Sequence, residues 1–214
     1  MFETTRFRVA ILAVAPAVLL AGYVYHPYVA TPTDEADIAA AVAADTTRWG
    51  LAHLALGLGF GLLALAFLAV RSYLREVGEE RWSGPALPFA ILGNALFAIL
   101  PGMEFAPLAA AETGGDIATA QAELRPWFLP ILAASAVSFA LGAVGFALGI
   151  ARSRVLSPRL TRLVVGALIV MAAARFVPLG AAQYVIGAAG VVALWPLAYG
   201  MGKRPVGLPR PLAT

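Results

Sequence analysis

The chain contains no cysteine and only two histidines among its 214 residues, and acidic and basic side chains together make up 13% of it. Without thiols there is no disulfide framework, thiolate metal site or cysteine nucleophile. A soluble domain carries about 25% charged residues. Set against 61% hydrophobic residues and a mean hydropathy of +0.83, this scarcity of charge excludes an ordinary water-soluble globule. Also missing are a GxSxG elbow, a phosphate-binding loop, a dinucleotide glycine fingerprint and the HxxxH and HExxH metal spacings. No lysine lies within an apolar run, which removes a retinal-type Schiff base.

What the chain does contain is six apolar runs, roughly 8–27, 49–70, 86–106, 127–151, 160–177 and 181–201. Each approaches the roughly 20 residues that a helix needs to cross a bilayer. The expected fold is therefore an all-α polytopic membrane protein with six transmembrane helices, residues 1–214 forming one transmembrane domain. The first run follows Arg6 and Arg8 in the manner of a signal peptide. It continues to Pro27 without a small-x-small cleavage site, so it reads as a retained helix.

Arginine placement sets the expected orientation. Arg6, Arg8, Arg71, Arg75, Arg81, Arg152, Arg154, Arg159, Arg162, Lys203, Arg204 and Arg210 fall on one side of such a bundle. That side reads as cytoplasmic, with both termini inside. Asp34, Glu35, Asp37, Asp45, Glu104, Glu112, Asp116 and Glu123 fall on the other. The sequence pI near 9.6 thus reflects topology, and nucleic-acid binding is not expected. Trp49 and Trp127 at the outer boundary and Trp82 at the inner one are expected in the aromatic belts. The Ala- and Arg-rich, Lys-poor composition points to a high-GC prokaryote and hence to its plasma membrane.

The stretch DIAAAVAADTTRW at 37–49 resembles DIATAQAELRPW at 116–127, and Arg71-Ser72 matches Arg152-Ser153. Together with Tyr25-His26-Pro27 against Phe105-Ala106-Pro107, these pairs suggest a duplicated helical hairpin of about 80 residues in parallel topology. The expected units are approximately 8–71, 86–152 and a degenerate 160–202, with outer loops 28–48 and 107–126 carrying short acidic helices. Thr31-Pro32-Thr33-Asp34 supplies a capping hydroxyl, a first-turn proline and a carboxylate for the first of these, and Asp116 can cap the second. The pairs Gly57/Gly61 and Gly145/Gly149 have GxxxG spacing, read here as packing.

Polar residues that do not recur between the hairpins need another explanation. They are His26, His53, Glu104, Arg175 and Gln183, with Asn94, Ser135 and Ser138 deeper in the runs. At 1.5 Å per residue, His26, His53 and Glu104 come near the outer boundary, and Arg175 about 10 Å inside it. The bland reading makes Glu104 and Arg175 a helix-bridging ion pair, the histidines an interfacial residue and a satisfied buried donor, and Asn94 and the serines interhelical hydrogen-bond glue. The functional reading makes Glu104, Arg175, Gln183 and Asn94 a ligand clamp. His26 and His53 would then serve as axial ligands of a b-type haem, as a single transition-metal site with Glu104, or as a proton-linked switch.

The resulting expectation is an outward-facing polar pocket that binds a small ligand or a metal- or haem-type cofactor. One alternative is a structural or accessory subunit that meets another membrane protein or a second copy of itself in the bilayer. A second is an intramembrane enzyme acting on a lipophilic substrate, with Glu104 as acid or base.

Overall fold

The computed structural model describes residues 5–203; Arg204 and Arg210, counted above among the inner charges, lie outside the described residues. Among those residues every regular element is a helix: α1 Thr5–Tyr25, α2 Glu35–Ala44, α3 Thr46–Glu76, α4 Ser83–Met103, α5 Phe105–Thr113, α6 Ile117–Ser153, α7 Pro158–Ala174 and α8 Gly180–Gly202. Five stretches are long and apolar enough to cross a membrane: α1, α3, α4 with α5, α6, and α8. The fifth apolar run of the sequence forms α7, which has 17 residues and rises about 26 Å, short of the roughly 30 Å hydrocarbon core.

The six longer helices close into a ring in chain order. α1 packs on α3, α3 on α4, α4 on α6, α6 on α7, α7 on α8, and α8 returns to α1. Close approach depends on small residues. A Cβ on Gly93 would lie 2.5 Å from the backbone nitrogen of Phe139, and one on Gly142 would lie 2.6 Å from that of Ala90. These glycines seat α4 against α6. The GxxxG reading of Gly57/Gly61 does not hold in that form, because a Cβ on Gly61 would meet nothing within 4 Å. The ring interior is filled by Leu12, Leu19, Leu63, Phe67, Phe139 and Phe146, all essentially inaccessible. Leu54, Leu58, Leu92, Val137 and Leu141 point outward and stay exposed, which suits a lipid-facing surface.

α2 and α5 lie at one end of the ring. Val29, Ile38, Val42, Trp49 and Leu108 form a second hydrophobic cluster there, and Arg125 on α6 pairs with Glu35 on α2 at 3.0 Å. Asp34 is the cap of α2, accepting from the amides of Ala36 and Asp37 at 3.0 and 2.9 Å. Thr31 does not play the capping role expected of it; its own amide donates to Asp37 at 3.1 Å. At the other end Arg8 pairs with Glu76, Glu79 accepts from the amides of Trp82 and Ser83, and the Arg152 guanidinium covers the Trp82 ring.

The two similar stretches fold differently. Residues 37–44 belong to α2, which stops at Asp45, whereas 117–127 run without interruption into the long α6. The first stretch is one residue longer between its aspartate and its tryptophan. Its Asp45 takes an extended backbone conformation, and the side chain caps α3 through the Arg48 amide at 2.8 Å. Asp116 caps α6 itself, so no separate acidic helix follows it. The tryptophans differ as well. Trp127 is 72% exposed, but Trp49 is 2% exposed and belongs to the core, not to an interfacial belt.

Candidate functional site

A cavity of about 450 Å³ lies inside the ring at the α2 and α5 end. Its walls come from α1, α3, α4, α6, α8 and the α7–α8 link, and Val29 and Ile38 lie buried at its α2 end. The lining is mainly apolar and aromatic, with a few polar groups, as ligand sites usually are. His26, His53, Glu104, Arg175 and Gln183 all line it, while Asn94 stands just behind as a partner of Arg175.

The polar groups occupy two levels. Nearer α2, the His26 and His53 rings meet edge to face at 4.8 Å, and Trp49 packs on both at 4.9 and 4.4 Å. His26 donates from Nδ1 to the carbonyl of Pro27 at 2.6 Å, and His53 donates from Nδ1 to the carbonyl of Trp49 at 2.8 Å. A carbonyl can only accept, so Nδ1 of both imidazoles carries a proton, and in the neutral ring Nε2 keeps its lone pair. His26 lies one residue beyond α1. Burial holds its pKa below the usual 6.5, and the nearby positive charge of Arg48 adds to the effect against the Pro27 hydrogen bond.

Glu104 stands between α4 and α5. Its carbonyl accepts from Trp49 Nε1 at 3.1 Å, and its Oε1 accepts from Gln121 Nε2 at 3.1 Å. Oε2 is buried and among the described residues has no hydrogen-bond partner, as is true of Gln121 Oε1.

Arg175 defines the deeper level. It follows the last residue of α7, and its side chain turns inward to lie over three rings, with Cζ 3.5 Å from the centroid of Phe139, 4.4 Å from Phe97 and 5.4 Å from Phe60. Phe60 and Phe97 each lie two helical turns below His53 and Glu104, so about 10 Å separates the levels. NH2 donates to Asn94 Oδ1 at 3.1 Å, and Asn94 in turn donates to the Ala90 carbonyl at 2.8 Å. Nε and NH1 are buried and among the described residues have no acceptor. The ion pair expected of Glu104 and Arg175 is not formed; among the described residues the ion pairs are Arg8–Glu76, Arg71–Glu80 and Arg125–Glu35. Each cavity charge instead has a side-chain amide as its polar partner.

Ser135 keeps to its own helix. Ser135 donates to the Leu132 carbonyl at 2.7 Å, so it is not the interhelical glue expected of it. Two site residues were missed from sequence, Gln121 and Trp49. Gln121 stands where the first similar stretch has Val42, so the asymmetry that singled out His53 also marks it.

The residues do not fit a metal or haem centre. Two axial imidazoles must leave room for iron and the porphyrin between them, with metal–nitrogen distances of about 2 Å on each side. The direct ring contact of His26 with His53, filled in by Trp49, leaves none. Among the described residues no group of three or more His, Asp or Glu side chains is arranged to hold a metal ion.

Fold and cavity together define a protein that is all-helical among the described residues, with several bilayer-length helices and an internal, mainly apolar site. Comparison with protein-family models, curated proteins and solved structures finds no match.

Proposed function

We propose that the protein is a prokaryotic plasma-membrane protein of six transmembrane helices, both termini cytoplasmic, whose cavity faces outward and binds a small organic ligand. Two observations support the orientation. The acidic α2 and the exposed Trp127 stand at the cavity end, and the clustered arginines stand at the other. α7 completes the sixth crossing by bringing Arg175 into the wall. The similar stretches and the ring order agree with tandem hairpins repeated about an axis along the membrane normal, their local structures having diverged.

The single observation that carries the binding reading is Arg175. A guanidinium stays charged in a protein, and a buried charge is costly unless it is paired. Here Nε and NH1 have no acceptor, yet the residue lines a cavity. A purely structural arginine would be expected to find a carboxylate or a set of carbonyls. A binding arginine keeps donors in reserve for its ligand. The enzyme alternative has less support, because among the described residues the one polar partner of the Glu104 carboxylate is Gln121, with no second acid, base or nucleophile paired to it.

Thermal melting of the detergent-purified chain against a panel of lipophilic acids, amines and neutral compounds tests the reading. A ligand present at 100 times its Kd should stabilise the native state by about 2.7 kcal/mol. The effect should vanish in Ala136→Trp, which fills the cavity. A panel in which no class of compound moves the wild-type midpoint, together with an Ala136→Trp midpoint well below wild type, as overpacking of a filled core would give, defeats it.

A further inference from the structure

We infer that the ligand is a single-chain lipophilic carboxylate that enters sideways from the lipid, between α6 and the α7–α8 link, with its head at Arg175; this rests on the binding reading above.

The entry is written in one stripe of α6. Leu129, Ala133, Ala136, Ala143, Ala147 and Ile150 recur at helical spacing along one side of that helix. The last four are 0–5% exposed, but Ala133 is exposed and Leu129 is 37% exposed. Both nevertheless line the cavity. Across from them Phe176 and Leu179 also line it while remaining 54% and 55% exposed. Side chains that belong at once to the cavity wall and to the outer surface mark an opening. Deeper in the wall Tyr23, His53, Phe60, Phe97 and Leu100 are buried, while Pro32 and Thr33 at the α2 end are half-buried. Leu129 and Ala133 lie two and six residues deeper than the exposed Trp127, or about 3 and 9 Å. The opening therefore begins just below the interfacial level, and its rim is apolar.

The head follows from charge. Glu104 can become neutral by taking up a proton; Arg175 cannot shed its charge. The cavity therefore has one obligatory positive charge with three N–H bonds on Nε and NH1 lacking acceptors. One carboxylate balances it, whereas a phosphate monoester brings a charge of about −1.5 to −2 and leaves an excess. The Phe60, Phe97 and Phe139 rings around the guanidinium and the small residues Ala136 and Ala133 leading outward suit the first methylenes of an acyl chain. A chain anchored there can leave its far end among the lipids, so cavity volume does not limit its length.

Equilibrium binding of radiolabelled palmitate to the full chain in a non-ionic detergent tests this, with hexadecanol and hexadecyl phosphate as comparison probes. Saturable palmitate binding at one site is expected, weakened about tenfold or more in Arg175→Met, the loss of one charge-assisted hydrogen bond or more. Hexadecanol should bind at least about tenfold more weakly than palmitate and be indifferent to Arg175→Met. Ala133→Trp, an exposed site that does not threaten folding, should slow palmitate association. Hexadecanol matching palmitate, or palmitate undiminished in Arg175→Met, overturns the anionic head while leaving the pocket standing. Hexadecyl phosphate binding more tightly than palmitate overturns the carboxylate. An unchanged association rate in Ala133→Trp overturns the lateral entry. No saturable binding of any of the three probes overturns the head and the entry together; the pocket reading then stands or falls on the panel described above.

Discussion

If Arg175 is held for a ligand and not for the fold, replacing it should cost little, whereas orphaning it should cost much. Asn94→Leu removes the one acceptor that the guanidinium has, the Oδ1 at 3.1 Å, and leaves a buried charge with only ring faces around it. Leaving a buried charged donor without its acceptor costs about 1–3 kcal/mol or more. Arg175→Met removes the charge itself. It gives up one charge-assisted hydrogen bond of about 1.5–3 kcal/mol and the cation–π contacts, but it abolishes a desolvation penalty of several kcal/mol. The two sides nearly cancel, and the net change should stay within about 2 kcal/mol. The double variant Arg175→Met/Asn94→Leu removes charge and acceptor together. It should be at least as stable as wild type, by up to about 4 kcal/mol. Differential scanning of ligand-free protein in detergent reads this pattern at about 2–4 °C per kcal/mol for a chain of this size. The order of midpoints should be double variant, then Arg175→Met and wild type close together, then Asn94→Leu well below. An Arg175→Met midpoint as low as that of Asn94→Leu would refute the reasoning and make Arg175 a structural keystone.

Three further outcomes are expected. Gly93→Ala should destabilise by about 1–3 kcal/mol or more through overpacking, because its Cβ would lie 2.5 Å from the Phe139 backbone; a wild-type melting point would show that α4 and α6 are less tightly seated. The absence of native cysteine allows Glu112→Cys and Arg159→Cys to be labelled one at a time in intact cells with an impermeant maleimide, and only Glu112→Cys should react; the reverse pattern inverts the topology. The lowered pKa of His26 means that the buried ring folds best neutral. Its contribution is complete above about 6.5, the unfolded value, and is lost as the pH falls below that toward the folded value. Melting between pH 7.5 and 5 should therefore fall less steeply in His26→Gln than in wild type, and parallel curves would deny His26 that role.

The helices were legible because bilayer-length apolar runs admit few other readings. Their neighbours in the ring were not. A helix that faces lipid on one side and protein on the other is apolar on both, so periodicity does not separate core from surface as it does in water. Trp49 shows the cost. From sequence it stands at an interface like Trp127, and only packing reveals that its indole donates to the Glu104 carbonyl while its ring wedges against two imidazoles. The candidate polar residues were visible because each breaks the similarity between hairpins. Their partners depend on tertiary structure. Arg175 meets Asn94 from 81 residues away, and the expected Glu104–Arg175 ion pair fails because the two side chains sit at different depths. Gln121 breaks the similarity just as His53 does, against Val42, so it too is legible in the sequence.

The three hairpins differ most in what joins their two helices. α2 lies between α1 and α3, and α5 between α4 and α6, while α7 and α8 are joined only by residues 175–179. This short link brings Arg175 over the cavity and leaves no helix to cover Leu129 and Ala133, so the charged head site and the bare rim share one cause. The link is pinned at its far end. The Gly180 amide donates to the Ala30 carbonyl at 2.9 Å, and a Cβ on Gly180 would lie 2.0 Å from the Val29 carbonyl oxygen. No rotamer relieves a clash at Cβ, so in Gly180→Ala either α8 or the Val29–Ala30 segment must give way, moving the rim without touching Asn94 or the Phe60, Phe97 and Phe139 rings. Palmitate should then dissociate faster from Gly180→Ala, while the melting order of the Arg175 and Asn94 variants made in that background stays as it is in the parent. Dissociation at the parental rate would mean that the link does not set the rim; a changed melting order would mean that head site and rim are one mechanical unit.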